Sequence, residues 1–327
     1  MDTTTFVNET LARGLRKQML DQTAAAVTRA DLRLAKWCIR GAQNRTKKGW
    51  RRAHAEIDEA FGRVAMMRTV ADDQFASWII IDGVSKLKDG GSLLQSHPWL
   101  NHLEGAFIFS GLLVDLFRMQ PRYRAIPILV RSHAVDRLFQ RLATTKAKDV
   151  IDELIDVPMM AAISACETII SHEAGLLDQN DRPPMPVAFP TKNGLLLGDI
   201  IPASQKHEAF IELNTFIGGE RTIAGAKALL RSKLAAWRDR HGQVMARIAI
   251  SLTLMRYVEL RHTPEFAEAR HAYAELMELM EAFAGVIRPR TERNSELVRK
   301  EMAWRWARAQ ANGTSAVMQA TPRSEEH

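Results

Sequence analysis

The residues best suited to do chemistry lie in one short segment, SHAVDRLFQR at 132–141. On an α-helix, at ~100° per residue, His133, Arg137 and Arg141 fall within about 80° of one another, with Gln140 beside them. Histidine can transfer protons near neutral pH, and paired arginines can hold a phosphate and the charge that builds on it during transfer. Because RNA supplies its own 2′-hydroxyl nucleophile, these groups are sufficient for metal-independent RNA cleavage.

The same pattern is also compatible with an ordinary solvated helix face. Asp136 lies close to both arginines along the chain, and we expect it to pair with Arg137 or Arg141 at the surface in that case. Spacing alone leaves both interpretations open.

A strand and an apolar helix face are expected to position this segment. Residues 126–130 (IPILV) are apolar and mostly β-branched, which predicts a short strand, and Ser132 suits the N-cap of the helix that follows. The start of such a helix also favours a bound anion. The helix face opposite the basic one is apolar and predicts packing onto a sheet through Val135, Leu138, Phe139 and Leu142.

The rest of that sheet is predicted by two signals further along the chain. Lys192-Asn193-Gly194 separates two β-prone runs and is typical of a hairpin turn. The run FIELNTFI at 210–217 alternates, with Thr215 on the side of Ile211, Leu213 and Ile217. The sequence therefore predicts an α+β fold, in which a mostly helical chain carries a small antiparallel sheet at about residues 126–218.

Taken together, the strand, the S-H-A-x-x-R-x-x-x-R helix, the PTKNGLLLG hairpin and the strand ending in TFI resemble the barnase, colicin-D and RelE-like ribonuclease superfamily. The resemblance covers residues 126–218. It implies a helical layer on a small antiparallel sheet, with His133 as the catalytic histidine, Arg137 and Arg141 as the phosphate-holding arginines, and Thr215 as the strand hydroxyl. A toxin, a defence effector and a housekeeping nuclease remain open as biological roles.

The positive charge is concentrated near the N-terminus. The formal charge is +7, yet residues 1–52 hold 12 Lys and Arg against 4 Asp and Glu, which leaves 33 and 34 in the rest of the chain. With Trp37 and Trp50 among them, such residues can neutralise phosphates and stack on bases. The predicted nucleic-acid-binding set is Lys36, Arg40, Arg45, Lys47, Lys48, Arg51 and Arg52.

Four regions are expected along the chain. They are a helical, basic N-terminal region at 1–95, an α+β ribonuclease-like core at 100–220, a helical C-terminal region at 221–312 that is a candidate surface for a protein partner, and a disordered tail at 313–327. The predicted helices outside the core motif cover 9–43, 50–71, 105–119, 146–156, 158–174, 221–240, 243–261, 264–284 and 291–311.

Several classes of protein do not fit this composition. Hydrophobic residues at 46% and charged residues at 25% are ordinary for a globular chain and exclude wholesale disorder. Two cysteines, Cys38 and Cys166, are too few for a disulfide framework or a cysteine zinc site, and we expect no cofactor. Without a long apolar run or an apolar N-terminal leader, a cytoplasmic protein with no membrane partner is expected.

Three functions are therefore compatible with the sequence. The first is a metal-independent endoribonuclease that cleaves RNA by 2′-hydroxyl transesterification, with the basic N-terminal region binding the RNA. The second is a non-catalytic nucleic-acid-binding or assembly protein. The third is a helical interaction module formed by residues 221–312.

Overall fold

A computed structural model describes residues 7–41, 55, 66–71, 75–83, 107–115, 120–179, 182–205, 207–218, 223–254 and 257–287. Within these ranges, helices surround one mixed sheet, so the predicted α+β class is confirmed. The predicted helix at 291–311, the predicted tail at 313–327 and the basic residues Arg45, Lys47, Lys48, Arg51 and Arg52 lie outside the described residues.

The sheet has seven strands among the described residues, in the spatial order β1-β2-β3-β4-β7-β6-β5. Its strands are β1 Met66–Ala71, β2 Phe75–Gly83, β3 Phe107–Asp115, β4 Gln120–Val130, β5 Met185–Pro190, β6 Gly194–Ile201 and β7 Phe210–Gly218. Strands β1 to β4 form one antiparallel meander and β5 to β7 form another. The two meanders join where β4 runs parallel to β7.

The helices begin with α1 Glu9–Gly41. They continue with α2 Ser132–Arg141, α3 Ala147–Leu154, α4 Ala161–Glu173, α5 Ala226–Leu254, α6 Tyr257–Leu260, α7 Pro264–Ala282 and α8 Ala284–Ile287, and a 3₁₀ turn at Val157–Met160 precedes α4. The predicted helices at 9–43, 146–156 and 264–284 are confirmed. The predicted helix at 158–174 is confirmed as α4 with the 3₁₀ turn as its first part.

Strand β4 explains why the run at 126–130 is apolar without alternation. All five of its residues are buried, as expected for a central strand that also takes part in parallel pairing. Pro127 cannot donate a hydrogen bond, and the pairing of β4 with β3 is irregular at this point. Its carbonyl oxygen accepts a hydrogen bond from the hydroxyl of Ser164 in α4 at 3.3 Å, so the irregularity also attaches the helical layer.

Several helix predictions are wrong. Residues 107–115 of the predicted helix at 105–119 are strand β3, and residues 66–71 of the predicted helix at 50–71 are strand β1. Both β1 and β2 join the central sheet, although the sequence predicted a helical region at 1–95. For β3, sequence periodicity fails because a segment that is apolar on most sides is compatible with both a buried helix and a buried strand.

The predicted break at Gly242 is also wrong, because α5 runs through it. A helical glycine costs only about 1 kcal/mol relative to alanine, and packing can offset that cost. Here α5 packs against the 3₁₀ turn, and a Cβ at Gly242 would lie 4.0 Å from the Met159 sulfur.

The stretch Ala147–Glu173 is long and apolar enough to cross a membrane by length and composition. In the structure it comprises α3, the 3₁₀ turn and α4, and 78% of its most apolar window is buried inside the protein. Burial at that level is typical of core helices in a globular fold.

The hairpin predicted at Asn193-Gly194 is confirmed, since β5 and β6 pair antiparallel on either side of it. The predicted pairing with the strand at 210–217 is confirmed as well, because β6 pairs with β7. The sheet is mixed and not purely antiparallel, since β4 and β7 are parallel. The turn is tied to α3 by Glu153, which accepts hydrogen bonds from the backbone N–H of Asn193 at 3.0 Å and from its side-chain amide at 2.5 Å.

A bulge in β7 changes which side chains share a face. Leu197 pairs with Thr215, but Gly198 pairs with Leu213, so Asn214 is the extra residue. Paired residues point to the same side of a sheet, and so Thr215 shares a face with Glu212. The predicted side for Thr215, with Ile211 and Leu213, is therefore wrong.

The bulge predicts a severe effect for Gly198→Ala. A Cβ at this position would overlap the carbonyl of Glu212 and the backbone of Leu213, which cannot move without breaking the ladder. We expect a loss of about 2–3 kcal/mol in the free energy of unfolding, measured by urea denaturation. Gly14→Ala in α1 is the matched control, because nothing lies within 4 Å of the added Cβ and the change removes a helical glycine. If Gly198→Ala and Gly14→Ala changed the free energy of unfolding equally, the close approach of the two strands at the bulge would be contradicted.

Candidate functional site

Strand β7 extends beyond the end of β4, and helix α2 lies beside this extension. The backbone N–H of Arg131 donates to the carbonyl of Leu213 at 2.9 Å, just before α2 begins. At the other end of α2, the Cβ of Arg141 lies 3.1 Å from where a Cβ on Gly218 would be. Ten helical residues span about 15 Å and the five steps from 213 to 218 span about 16 Å, so the two elements match in length. Helix α2 therefore runs along the second half of β7.

The exposed face of α2 carries the side chains predicted to do chemistry. His133 and Arg141 are exposed and Arg137 is half-buried, while the opposite face is buried through Ala134, Val135, Leu138 and Phe139. The Nε of Arg137 donates to Nε2 of His133 at 3.4 Å, and its Nη1 donates to Gln140 at 3.0 Å. The structure thus brings two of the predicted site residues, His133 and Arg137, into contact, with Gln140 beside them, and places Arg141 one turn further along the same face.

Asp136 pairs with Arg16 and not with Arg137 or Arg141, the partners expected for an ordinary solvated helix face. Its carboxylate accepts a hydrogen bond from Nε of Arg16 in α1 at 2.8 Å, and both side chains are largely buried. The pair fixes α1 against α2, where the buried Ala12 and Met19 also lie. Arg137 and Arg141 consequently keep their guanidinium groups on the exposed face of α2.

Thr215 lies on the face of β7 that also carries Phe210, Glu212 and Ile217, and its side chain is half-buried. Glu212 on that face forms an ion pair with Arg131, the residue that joins β4 to α2. The bulge residue Asn214 donates from its amide to Asp199 on β6 at 3.1 Å. We call these residues, Arg131, Asp199, Glu212, Asn214 and Thr215, the strand polar group. Apart from Thr215, no sequence signal indicated these residues, because their contacts join positions far apart along the chain.

The end of α2 is under backbone strain. Thr144 N–H donates to Phe139 O and Ala143 N–H donates to Gln140 O, both at 3.3 Å, which is the Schellman arrangement of a helix C-terminus. Glycine usually occupies the position that Ala143 holds here, with φ of 50°. A side chain in this conformation costs roughly 1–2 kcal/mol. The strain lies two residues from Arg141.

The N-terminal basic region is described only as far as α1. Lys36 is exposed, Arg40 lies within the helix, and the five basic residues from 45 to 52 are outside the described range. An open cavity of about 450 Å³ lies along α1, lined by Gly14, Lys17, Gln18, Asp21, Gln22 and Ala25. Its lysine and aspartate carry opposite charges, so it does not extend the basic surface.

A second polar cluster is buried in the helical layer and ties α7 to α4. Glu167 accepts hydrogen bonds from Ser171 at 2.8 Å, from Arg182 at 2.5 Å and from the Tyr273 hydroxyl at 2.6 Å. Burial, reinforced by the Glu167 carboxylate, raises the pKa of Tyr273 well above its usual value. The opposite charges of Glu167 and Arg182 form an ion pair, so we interpret this cluster as structural.

The thiol of Cys166 is also buried, and this burial raises its pKa to about 12. A thiol that stays protonated is a poor nucleophile, which argues against a catalytic role. Among the residues with described positions, no three His, Cys, Asp or Glu side chains are arranged to hold a metal ion.

Comparison with protein-family models, with curated proteins and with solved structures found no match to this chain. The assignment of a function to α2 and β7 therefore depends on their geometry and chemistry.

The strain at Ala143 predicts that Ala143→Gly stabilises the protein. Glycine relieves the left-handed conformation but gains entropy in the unfolded chain, so the net gain should be about 0.5–1 kcal/mol. Urea denaturation measures it, and Ala147→Gly within α3 is the control, expected to destabilise by a similar amount. A loss of stability in Ala143→Gly would show that this residue carries no strain.

The charge asymmetry predicts that the basic set from Lys36 to Arg52 dominates binding to RNA. Since α1 packs on α2, substitution tests this better than truncation. Changing all seven residues to Gln should weaken binding and flatten the dependence of log K on log salt, by about 0.7 for each phosphate of single-stranded RNA that the variant no longer neutralises. Fluorescence anisotropy from about 50 to 200 mM salt measures this slope. The control substitutes the surface lysines Lys146, Lys148, Lys192 and Lys233, and an equal change per charge in both variants would contradict the prediction.

Proposed function

We propose that this protein is a metal-independent ribonuclease that cleaves RNA by attack of the 2′-hydroxyl on the adjacent phosphate. The observation that favours this function is the exposed face of α2, on which His133 contacts Arg137 and Arg141 follows one turn later. An imidazole beside guanidinium groups can move a proton and hold a phosphate at the same place.

The side chains divide the reaction between them. The 2′-oxygen attacks phosphorus while the bond from phosphorus to the 5′-oxygen breaks, which leaves a 2′,3′-cyclic phosphate and a 5′-hydroxyl. A proton leaves the 2′-hydroxyl and another reaches the 5′-oxygen, and His133 performs one of these two transfers. Arg137 and Arg141 bind the phosphate and stabilise the extra negative charge of the pentacoordinate phosphorus.

Thr215 is the proposed fourth member of the site. The bulge at Asn214 turns Thr215 onto the face of β7 that carries Glu212, and α2 runs beside this part of the strand. Its hydroxyl can donate a hydrogen bond to a phosphate oxygen. The contact of Arg137 with both His133 and Gln140 holds its guanidinium over the helix face before substrate arrives, which lowers the cost of ordering it.

We assign RNA binding to the basic residues 36–52, a part of the chain separate from α2. The positive charge of residues 36–52 attracts the phosphate backbone without reading sequence, while α2 acts on one phosphate. A protein that binds RNA through residues 36–52 but does not cleave it at α2 would be a non-catalytic nucleic-acid-binding protein. Parallel measurements of RNA binding and RNA cleavage separate this alternative from a ribonuclease.

The decisive variant is His133→Ala. Loss of general acid–base catalysis should lower cleavage of an RNA oligonucleotide by a factor on the order of 10²–10⁴, with the far-UV circular dichroism and the unfolding midpoint unchanged. Arg137→Ala and Arg141→Ala should reduce both cleavage and RNA affinity, because they hold the phosphate in the ground and transition states alike. Thr215→Val should reduce cleavage more than affinity.

The matched control is His262→Ala. His262 is exposed and accepts a hydrogen bond from Nε of Arg261 at 3.0 Å, so it reproduces the His133–Arg137 contact elsewhere on the surface. This variant should cleave at the wild-type rate. Cleavage should persist in EDTA, and an RNA with 2′-deoxyribose at the scissile position should resist. If a folded preparation binds RNA but does not cleave it, the protein is a binding protein and the ribonuclease proposal fails.

A further inference from the structure

Helices α5 and α7 meet at a carboxylate that carries two imidazoles. The His241 Nε2 lies 3.1 Å from Oε2 of Glu275, and the His271 Nε2 lies 3.1 Å from Oε1. Arg240 adds a contact of 3.2 Å to Oε2. His271 and Glu275 both belong to α7, so of the three contacts to this carboxylate the two made by His241 and Arg240 join α5 to α7.

The two histidines differ in burial. His241 is 9% exposed and His271 is largely exposed. The His241 ring lies 5.9 Å from the ring of Trp237 and 6.3 Å from that of His271. The hydrogen bond from His241 is the main cause that holds the pKa of Glu275 below its ordinary value, and Arg240 and His271 act in the same direction. Glu275 is therefore held in its ionised form beside both imidazoles.

Charged groups on the neighbouring elements are engaged with other partners. On α5, Arg238 lies 3.8 Å from Asp156 and 3.9 Å from Asp239, and Arg247 lies 4.0 Å from Glu268 of α7. Between α7 and α4, Arg270 lies 3.0 Å from Glu173, and Glu167 is bound by Arg182 and Tyr273. The protonation of His241 therefore acts mainly on Glu275, Arg240 and His271.

We propose that His241 and Glu275 form a pH-sensitive latch between α5 and α7, which tightens as the pH falls from about 7.5 to about 5.5. Histidine gains its charge in this range, and the hydrogen bond from a neutral imidazole to the Glu275 carboxylate becomes a hydrogen-bonded ion pair between opposite charges, which is stronger. The ring of Trp237 favours the same cation.

Three effects oppose the stronger attraction between protonated His241 and Glu275, and each is smaller than that attraction. The positive charge of His271 acts over a ring separation of 6.3 Å, whereas the attraction acts across a direct hydrogen bond. Arg240 is 63% exposed, so water screens its repulsion. Burial of His241 disfavours its charge, but the adjacent carboxylate offsets this cost.

The latch also weakens at low pH. A carboxylate whose folded pKa is depressed contributes stability that is present above its unfolded pKa and is lost as the pH falls through the folded one. Glu275 is such a group, since the hydrogen bond from His241 lowers its pKa, so the latch weakens again when the pH falls far enough for Glu275 to take up a proton. Docking of α7 onto α5 is therefore strongest in the mildly acidic range.

A double-mutant cycle on the full-length protein tests the latch. Urea unfolding of the wild type, His241→Phe, Glu275→Gln and the double variant is measured at about pH 7.5 and about pH 5.5. The coupling between the two positions, expressed as a factor in the unfolding equilibrium constant, should rise about fivefold at the lower pH. A coupling that is equal or smaller at the lower pH would overturn the proposal.

The matched control is the pair Arg247 and Glu268, which joins the same two helices without a group that titrates in this range. Its coupling, from Arg247→Gln and Glu268→Gln, should not change between the two pH values. If His241→Phe does not fold, His241→Asn replaces it in the cycle. In either case Glu275→Gln alone should destabilise more at the lower pH, and a constant effect would contradict the latch.

Discussion

The parallel pairing of β4 with β7 is the joint on which the rest of the structure depends. It comprises Ile128 with Ile211, Leu129 with Glu212 and Val130 with Leu213. Each antiparallel meander on either side is held by its own hairpins, but this pairing makes them one sheet. Because the pairing stops at Val130 while β7 continues to Gly218, a space remains beside β7, and α2 fills it. The position of the proposed site follows directly from this difference in strand length.

The site also depends on a local departure from regular structure. The extra residue Asn214 reverses the alternation of β7, and Gly198 permits the close approach that the bulge requires. Apolar residues continue to face the core on both sides of the bulge, as Leu213 and Phe216 do. Thr215, however, moves to the side that holds Glu212. Bulges are frequent next to functional sites for this reason, since one inserted residue re-aims a side chain without disturbing the core.

The helical layer is held by polar contacts as well as by apolar packing. Glu167 and Glu275 each accept hydrogen bonds from several side chains, and in both clusters these bonds join α7 to a neighbouring helix. Polar groups that lose their partners in a packed interface are costly, so both clusters favour the docking position of α7 seen in this structure. The apolar residues Leu276 and Met280 on α7 supply burial but would tolerate small displacements. The two carboxylates therefore specify the position, and the core supplies the stability.

The sequence by itself determined the elements whose signals are local. The period of α2, with its basic face and its apolar face, and the Asn193-Gly194 turn each depend on residues within a few positions of one another, and both were predicted correctly. The contact between His133 and Arg137 follows from the same helical spacing. The helical part of the candidate site could thus be anticipated before the fold was known.

Only the tertiary structure decided the rest. Strand β3 has no period that distinguishes it from a helix, so its neighbours in the sheet determine its conformation. The bulge that redirects Thr215 exists only relative to the register of β6. Asp136 pairs with Arg16, 120 residues away along the chain, and not with the arginine beside it. In each case the free energy comes from burial and pairing between distant segments, which sequence spacing cannot express.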